Sequence, residues 1–272
     1  MAMFNPVTFS ENNYNTVIQA NSFLANYKDY FKWFDNEIML DIGCSNGRVT
    51  KESLYLFVMP HLKHLIGADI SQHAIDVANE TYKTSTLSFQ VMDIIDSEQC
   101  EKDLEKFHHI FAFYLFHLLP RSDLWSVNIY KMLKPKGQLF TSIIVDPRNI
   151  INICMADQRN DETKPWSKYI KNVPDIFFDF GPNPKETISD ILKKAGFIID
   201  VMDVQYVSFS FPEVHLLRNT LVGGDHFLNH IPMELRDEYI EDFVGKFISQ
   251  AKSEDGKYSY SFDVLTVVAT KP

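Results

Sequence analysis

The stretch "EIMLDIGCSNGRVT", residues 37–50, decides how this chain folds. Residues 38–42 form an apolar run that has the length of a buried strand and is too short for a stable helix. The run breaks into a small polar turn bounded by Gly43 and Gly47, and helical spacing then continues to about Val58. A strand that passes through a tight turn into a helix buries its apolar surface only if the helix packs back onto a sheet. The stretch therefore reads as the first half of a right-handed βαβ crossover.

The same pattern repeats downstream. The strand in "HLIGADI", residues 65–70, leads into the helix "SQHAIDVANETY", with Ser71 as its cap. Further strands are expected at residues 87–94, 109–117 and 138–145, with a helix at 122–133 ahead of "KPKG". Strands alternating with helices imply a parallel sheet covered on both faces. Residues 10–34 carry Tyr14, Ile18, Phe23, Tyr27, Tyr30 and Phe31 at helical spacing behind the candidate cap Ser10, which suggests one or two leading helices. Residues 146–184 read as loop-rich and aromatic. The helix "KETISDILKKAGF", a strand at 198–211 and helices at 213–221 and 233–251 follow. The alternating "YSYSFDVLTVVATK" closes the chain as a strand expected at the sheet edge. No Pro/Gly/Ser-rich linker divides the chain, so residues 1–272 read as one domain.

Composition narrows the function. With 36 acidic and 26 basic side chains the formal charge is −10, which repels phosphate backbones, and no Lys/Arg stripe offsets it. Nucleic acid is therefore not an expected partner. Cys44, Cys100 and Cys154 have neither an even count nor metal-ligand spacing, so no disulfide framework and no metal site is expected, and a reducing compartment suits them. The first residues lack a basic segment followed by an apolar one, and the longest apolar run, "FAFYLFHLLP", falls short of the roughly 20 residues that span a bilayer. A cytoplasmic protein without a membrane partner is expected. The 22 Phe exceed what core packing ordinarily recruits, which suggests an aromatic-lined pocket.

The glycine turn sits where open α/β sheets bind ligands, at the carboxyl ends of the strands. Asp69 ends the second strand, 22 residues beyond Gly47, where a carboxylate accepts hydrogen bonds from ribose hydroxyls. Asp93 ends the third strand and Asp41 precedes the first glycine, so three carboxylates converge on one rim. That rim suits a cofactor rich in hydroxyls and amines and carrying positive charge. A dinucleotide needs G-x-G-x-x-G, whose second glycine admits the pyrophosphate, and this chain has Gly-Cys-Ser-Asn-Gly. Tyr130 and Lys134 mimic a reductase pair without that fingerprint. S-adenosylmethionine, which has no pyrophosphate, fits better, with its amino-acid end at the glycine turn, its ribose at Asp69 and its adenine near Asp93.

The order "DIGCSNG", "GADIS", "VMDI", "LKPKGQL" resembles the class I S-adenosylmethionine-dependent methyltransferases. That resemblance implies a Rossmann-like α/β fold: a seven-stranded, mostly parallel sheet with an antiparallel last strand. A closer resemblance, over nearly the whole length, is to the insect juvenile hormone acid O-methyltransferases. It rests on "DIGCSNGRVT", "GADIS", "FAFYLFHLL", the Trp166 segment leading to "ILKKAGF", and the closing strand. The resemblance implies a small lipophilic acceptor, first a farnesoid acid, and S-adenosylhomocysteine as the second product. Residues 1–34 would then form a helical lid, 35–145 the cofactor half, and 146–272 the substrate-side insertions and closing strands. Asp41, Gly43, Cys44 and Gly47 would meet the cofactor from the first turn, and Asp69, Ile70, Asp93 and Ile94 from the next two strands. Tyr114 would stand near the methionine end. Gln19 and His117 would serve catalysis at the acceptor, beside Leu118, Trp166 and Phe177. The family follows this His with Trp, and Leu118 replaces that indole here, removing packing area and a donor.

Two acceptor classes make different demands on His117. A carboxylic acid, with a pKa of about 4, is already an anion at neutral pH and needs no base. A phenol, with a pKa of about 10, gains from an imidazole base. A third alternative is a catalytically silent binding protein that kept the fold. The sequence does not fix the oligomeric state.

Overall fold

The computed structural model describes residues 13–119, 122–146, 149–175, 177–254 and 256–272; the expected cap Ser10 lies outside them. Along the chain come α1 (Tyr14–Tyr27), β1 (Glu37–Ile42), a π-turn at Thr50–Leu54 continuing into α2 (Tyr55–Val58), β2 (Leu62–Asp69), α3 (Gln72–Tyr82), β3 (Leu87–Val91) and α4 (Ser97–Cys100). Then follow β4 (Phe107–Phe113), α5 (Ser122–Met132), β5 (Leu133–Ile144), α6 (Ile150–Asn160), α7 (Ser167–Ile170), α8 (Pro184–Ala195) and β6 (Ile198–Phe211). The last elements are α9 (Val214–Gly224), α10 (Met233–Gln250), β7 (Lys252–Glu254) and β8 (Lys257–Thr270).

The strands form one sheet in the order β3-β2-β1-β4-β5-β8-β6, with the short β7 pairing on β8. β1 to β5 pair in parallel, and β8 runs antiparallel to both β5 and β6. The mostly parallel α/β sheet and the antiparallel last strand agree with the sequence reading. The edge position does not, because β8 is inserted between β5 and β6, and β6 forms the edge. Its burial explains why: Val264, Leu265, Val267, Val268 and Ala269 are all fully buried, as a strand with neighbours on both sides requires. Residues 146–184 also contain two helices, α6 and α7, where loop was expected. Among the described residues no helix is long and apolar enough to cross a membrane.

The sheet separates two apolar layers. On one face Phe111, Phe113, Phe140 and Val268 pack with Phe23 and Tyr27 of α1 and with Phe243 and Phe247 of α10. On the other, Leu40, Ile110, Leu139 and Ile143 pack with Trp125 and Ile129 of α5 and with Ile188 and Leu192 of α8. Each such side chain contributes about 1.5–3 kcal/mol by leaving water.

A buried polar network ties the leading helix to this core. Glu37 Oε2 and His109 Nδ1 lie 2.5 Å apart, and His109 Nε2 stands 3.3 Å from Gln138 Oε1. Gln138 Oε1 accepts the Lys32 amide at 2.7 Å, and its own amide group faces Tyr30 O at 3.1 Å and Thr270 Oγ1 at 3.2 Å. Residues 30–34, which connect α1 to β1, are thus clamped to Gln138 of β5 and through it to β1, β4 and β8. Gln138→Met keeps the volume but strands these partners. It is expected to lower unfolding free energy by about 2–3 kcal/mol in urea denaturation.

Candidate active site

The turn between β1 and its helix is built almost wholly from its own backbone. Gly43 and Cys44 both donate to Ala68 O, at 2.7 and 3.1 Å, Gly47 donates to Cys44 O at 2.9 Å, and Arg48 donates to Asn46 Oδ1 at 3.3 Å. Ser45, held at φ +49°, donates to Asp69 Oδ2 at 2.9 Å. With these amides engaged, the turn offers no nest for a pyrophosphate, which agrees with the missing dinucleotide fingerprint. Gly43 and Gly47 sit at φ +75° and +81°, and a Cβ on them would lie 2.9 Å from Leu115 Cδ1 and 2.6 Å from Phe89 Cε1. Left-handed backbone and tight packing within the protein therefore require these glycines. The Cys44 thiol is buried, which pushes its pKa well above the ordinary value, so Cys44 contributes to the turn through its backbone.

Asp69 ends β2 and is half-buried. Its second oxygen accepts the Ser71 amide at 2.9 Å, beside the Ser71 hydroxyl that caps α3. A carboxylate has about four lone-pair sites, so two amides leave acceptor capacity for a pair of ribose hydroxyls. Ile70 follows with 55% of its surface exposed, an apolar side chain at the cleft suited to covering an adenine. Asp93 lies two residues beyond β3. Its Oδ1 accepts the Ile95 amide at 3.0 Å, leaving Oδ2 for an adenine amine. Ile94 is buried in the core layer around Trp125, so its side chain supports the rim from below.

Asp41 lies beneath the turn. It is 2% exposed and accepts Thr50 Oγ1 at 2.6 Å. The π-turn that carries Thr50 also sets Ser53 Oγ 3.3 Å from Val17 O of α1, joining the leading helix to the cofactor rim. Burial, reinforced by the charge of Asp69, raises the Asp41 pKa to about 7. Asp41 therefore acts as a strut for the turn. Neither the π-turn nor the Asp41–Thr50 bond has a signal in the sequence beyond the presence of the two residues.

At the next strand the expected boundary shifts. β4 ends at Phe113, Tyr114 takes φ +54°, and His117 stands in a 3-10 turn, Phe116–Leu118, instead of on the strand. Leu115 is the residue that lies against Gly43. Tyr114 turns its ring toward Phe23, Phe209 and Phe262. His117 is 3% exposed and stacks on Phe177 with centroids 5.4 Å apart and planes 12° apart. Its Nδ1 accepts the Ile144 amide at 3.3 Å, and its carbonyl accepts the Phe178 amide at 2.6 Å. Burial lowers its pKa to about 3. At neutral pH the ring is uncharged, and because Nδ1 supplies the lone pair, the proton resides on Nε2. Leu118 is half-buried in the same turn. Gln19 of α1 is half-buried, with its amide nitrogen 3.5 Å from Ser208 O of β6.

Trp166 is fully buried, its indole donates to Gln158 Oε1 at 2.9 Å, and it packs edge-on against Tyr239 of α10. Both its surface and its N–H are satisfied inside the helical layer.

Two measurements test this rim. If Asp69 accepts two ribose hydroxyls, Asp69→Ala removes both bonds, and calorimetry should show S-adenosylhomocysteine binding weakened by about a hundredfold. For Asp41, the folded pKa lies above the unfolded value of about 4, so the folded protein holds a proton that the unfolded chain has released. Stability is then full below about pH 4 and declines as pH rises toward about 7. Asp41→Asn keeps an acceptor for Thr50 and should flatten that decline in melting curves recorded across pH.

Comparison with known proteins agrees with the geometry. Residues 34–196 match a family model described as a methyltransferase domain. The juvenile hormone acid O-methyltransferase of Drosophila melanogaster is 25% identical over 86% of this chain and 80% of its own length. That of Bombyx mori is 20% identical over 91% and 90%. The phosphoethanolamine N-methyltransferase 2 of Haemonchus contortus, solved with S-adenosyl-L-methionine, shares the fold with a TM-score of 0.57 at 18% identity, over 98% of this chain and 56% of that longer one. With more than half of its length within the matched model, on a sheet whose rim carries the glycine turn and Asp69, the chain belongs to the methyltransferase-domain family and takes S-adenosylmethionine as its cofactor.

Proposed function

We propose that the chain is an O-methyltransferase acting on the carboxylate of a small lipophilic acid, a farnesoid acid being the first choice. The observation that carries this reading is the Ile144 amide on His117 Nδ1, from which the tautomer follows. A general base must present a lone pair to its substrate, and here the Nδ1 lone pair is engaged by the Ile144 amide. The remaining nitrogen is an N–H donor without a partner among the described residues. A donor holds an oxygen that is already anionic, and a carboxylate with a pKa of about 4 arrives in that state. A phenol, with a pKa of about 10, would need a base that this imbalance of lone pairs withholds.

Bound S-adenosylmethionine supplies an electrophilic methyl group on a sulfonium. The chain's part is alignment and exclusion of water. His117 Nε2–H, stiffened by the Phe177 stack, and the Gln19 amide are the two neutral donors assigned to the acceptor carboxylate. The aromatic layer of α1, β6 and β8 would receive its apolar body, leaving residues 35–145 to the cofactor. The names of the fly and silkworm relatives, both acid O-methyltransferases, support this reading. The intact cofactor rim weighs against a silent binding protein.

Methyl transfer from labelled S-adenosylmethionine should be faster to farnesoic acid than to simple phenols, and a preference for phenols would overturn the reading. At saturating cofactor, kcat/KM for the acid should stay flat between about pH 5 and pH 8. His117→Asn, which retains an N–H donor, should keep more activity than His117→Ala. A limb near pH 6.5 would instead mark a titrating base.

A further inference from the structure

Asn79 stands inside α3, where asparagine is a poor helix former, and its side chain bonds beyond the helix as well as within it. Its Nδ2 donates to Ile75 O one turn back at 3.1 Å and to Phe89 O of β3 at 2.9 Å, while its Oδ1 accepts the Phe89 amide at 3.2 Å. β3 ends the strand order on its side of the sheet and pairs with β2. The Asn79 carboxamide therefore stands in for a neighbouring strand at one residue, engaging both backbone groups of Phe89 on the open edge.

The Phe89 side chain gives this pairing its consequence. Phe89 lies opposite Gly67 in the β2–β3 register, and its ring covers that glycine so closely that a Cβ there would stand 2.5 Å from Phe89 Cδ1. The same ring reaches Gly47, where a Cβ would stand 2.6 Å from Cε1, and Ala78, the neighbour of Asn79, closes on Gly47 from α3. Cys44 Sγ would lie 3.1 Å from the Cβ on Gly67. The buried ring is thus a wedge between the edge strand and the glycine turn, touching the turn at Gly47 and lying beside Cys44. The turn's own hydrogen bonds run to Ala68 and Asp69 of β2 and within itself, so Phe89 supports it from the β3 side. Close-packed interiors transmit displacement, and a rigid ring in so tight a space passes any movement of β3 to the turn.

We propose that Asn79 and Phe89 are positioning residues for the cofactor. Asn79 fixes the edge of β3, the Phe89 ring carries that fixed point to Gly47 and Gly67, and the glycine turn is thereby set where it receives the amino-acid end of S-adenosylmethionine. Both residues act through the turn. The proposal rests on the amino-acid end meeting the turn and on no choice of acceptor, so the carboxylate reading can fail without it.

The test is calorimetry on the full chain with S-adenosylhomocysteine and with methylthioadenosine, which keeps the adenine, ribose and sulfur but lacks the amino-acid end. Asn79→Ala removes the edge pairing while favouring the helix, and Phe89→Leu keeps an apolar side chain while removing the ring. Each should weaken S-adenosylhomocysteine about tenfold and methylthioadenosine less than about twofold, since Asp69 keeps its Ser71 amide in both. Because Asn79 acts through Phe89, the double variant should also lose about tenfold, whereas independent contributions would multiply to about a hundredfold. A purely structural role would lower the urea midpoint and leave the ratio of the two affinities unchanged. Phe89→Met, whose flexible chain fills irregular gaps, replaces Phe89→Leu if that variant does not fold. Unchanged S-adenosylhomocysteine affinity in either single variant, equal weakening of both ligands, a hundredfold loss in the double variant, or no binding of methylthioadenosine to the unmodified chain at millimolar concentration would each overturn the proposal.

Discussion

The carboxylate of Asp69, held between the amides of Ser45 and Ser71, is the constraint around which the cofactor rim is arranged. One amide belongs to the turn after β1 and the other to the turn after β2, so a single side chain locks two neighbouring βα turns together. The strands beneath are already in register, Asp41 against Gly67 and Ile42 against Ala68. The Asp69 bonds extend that registration past the ends of the ladder. Deep burial, with Asp69 nearby, pushes the proton onto Asp41 near neutral pH. The rim thus sets the Asp69 carboxylate, its pKa raised by burial and lowered by its two amide donors, over a partly protonated Asp41.

The same arrangement leaves the turn few free donors for a phosphate. Phosphate-binding turns keep their amides free, whereas here five amides of the turn are satisfied within the protein. The glycines follow from the same geometry. Positive φ at Gly43 and Gly47 lets the chain double back tightly enough for these bonds, and Leu115 and Phe89 fill the space beside them.

The sheet was legible in the sequence because its strands are short apolar runs divided by helical spacing, and Asp69 was legible because its distance from the glycine turn is set by one βα unit. Other features depend on contacts between distant segments. β8 was expected at an edge because its alternating start resembles a half-exposed strand, yet its apolar end lies between two neighbours. "FAFYLFHLLP" reads as one strand through His117, but left-handed Tyr114 ends it, and nothing local in that run forecasts a positive φ. Trp166 has the composition of a pocket residue, and only the Gln158 bond, eight residues back along the chain, shows it to be interior. The tautomer of His117 depends on Ile144, 27 residues away, beyond the reach of any periodicity.

On the proposed reading, the loss of the family indole at Leu118 and the neutrality of His117 act together. A carboxylate held only by neutral donors is costly to desolvate, and the cost is met when a positive charge faces it. The chain's own donors at that end, His117 and Gln19, carry no charge, so acid binding depends on the charged cofactor being in place first. After transfer the acceptor is an uncharged ester, for which two neutral donors offer little more than water does. Substituting leucine for an indole N–H reduces the donors further and enlarges the apolar wall. Discrimination would then shift away from the reacting carboxylate and onto the body of the acceptor.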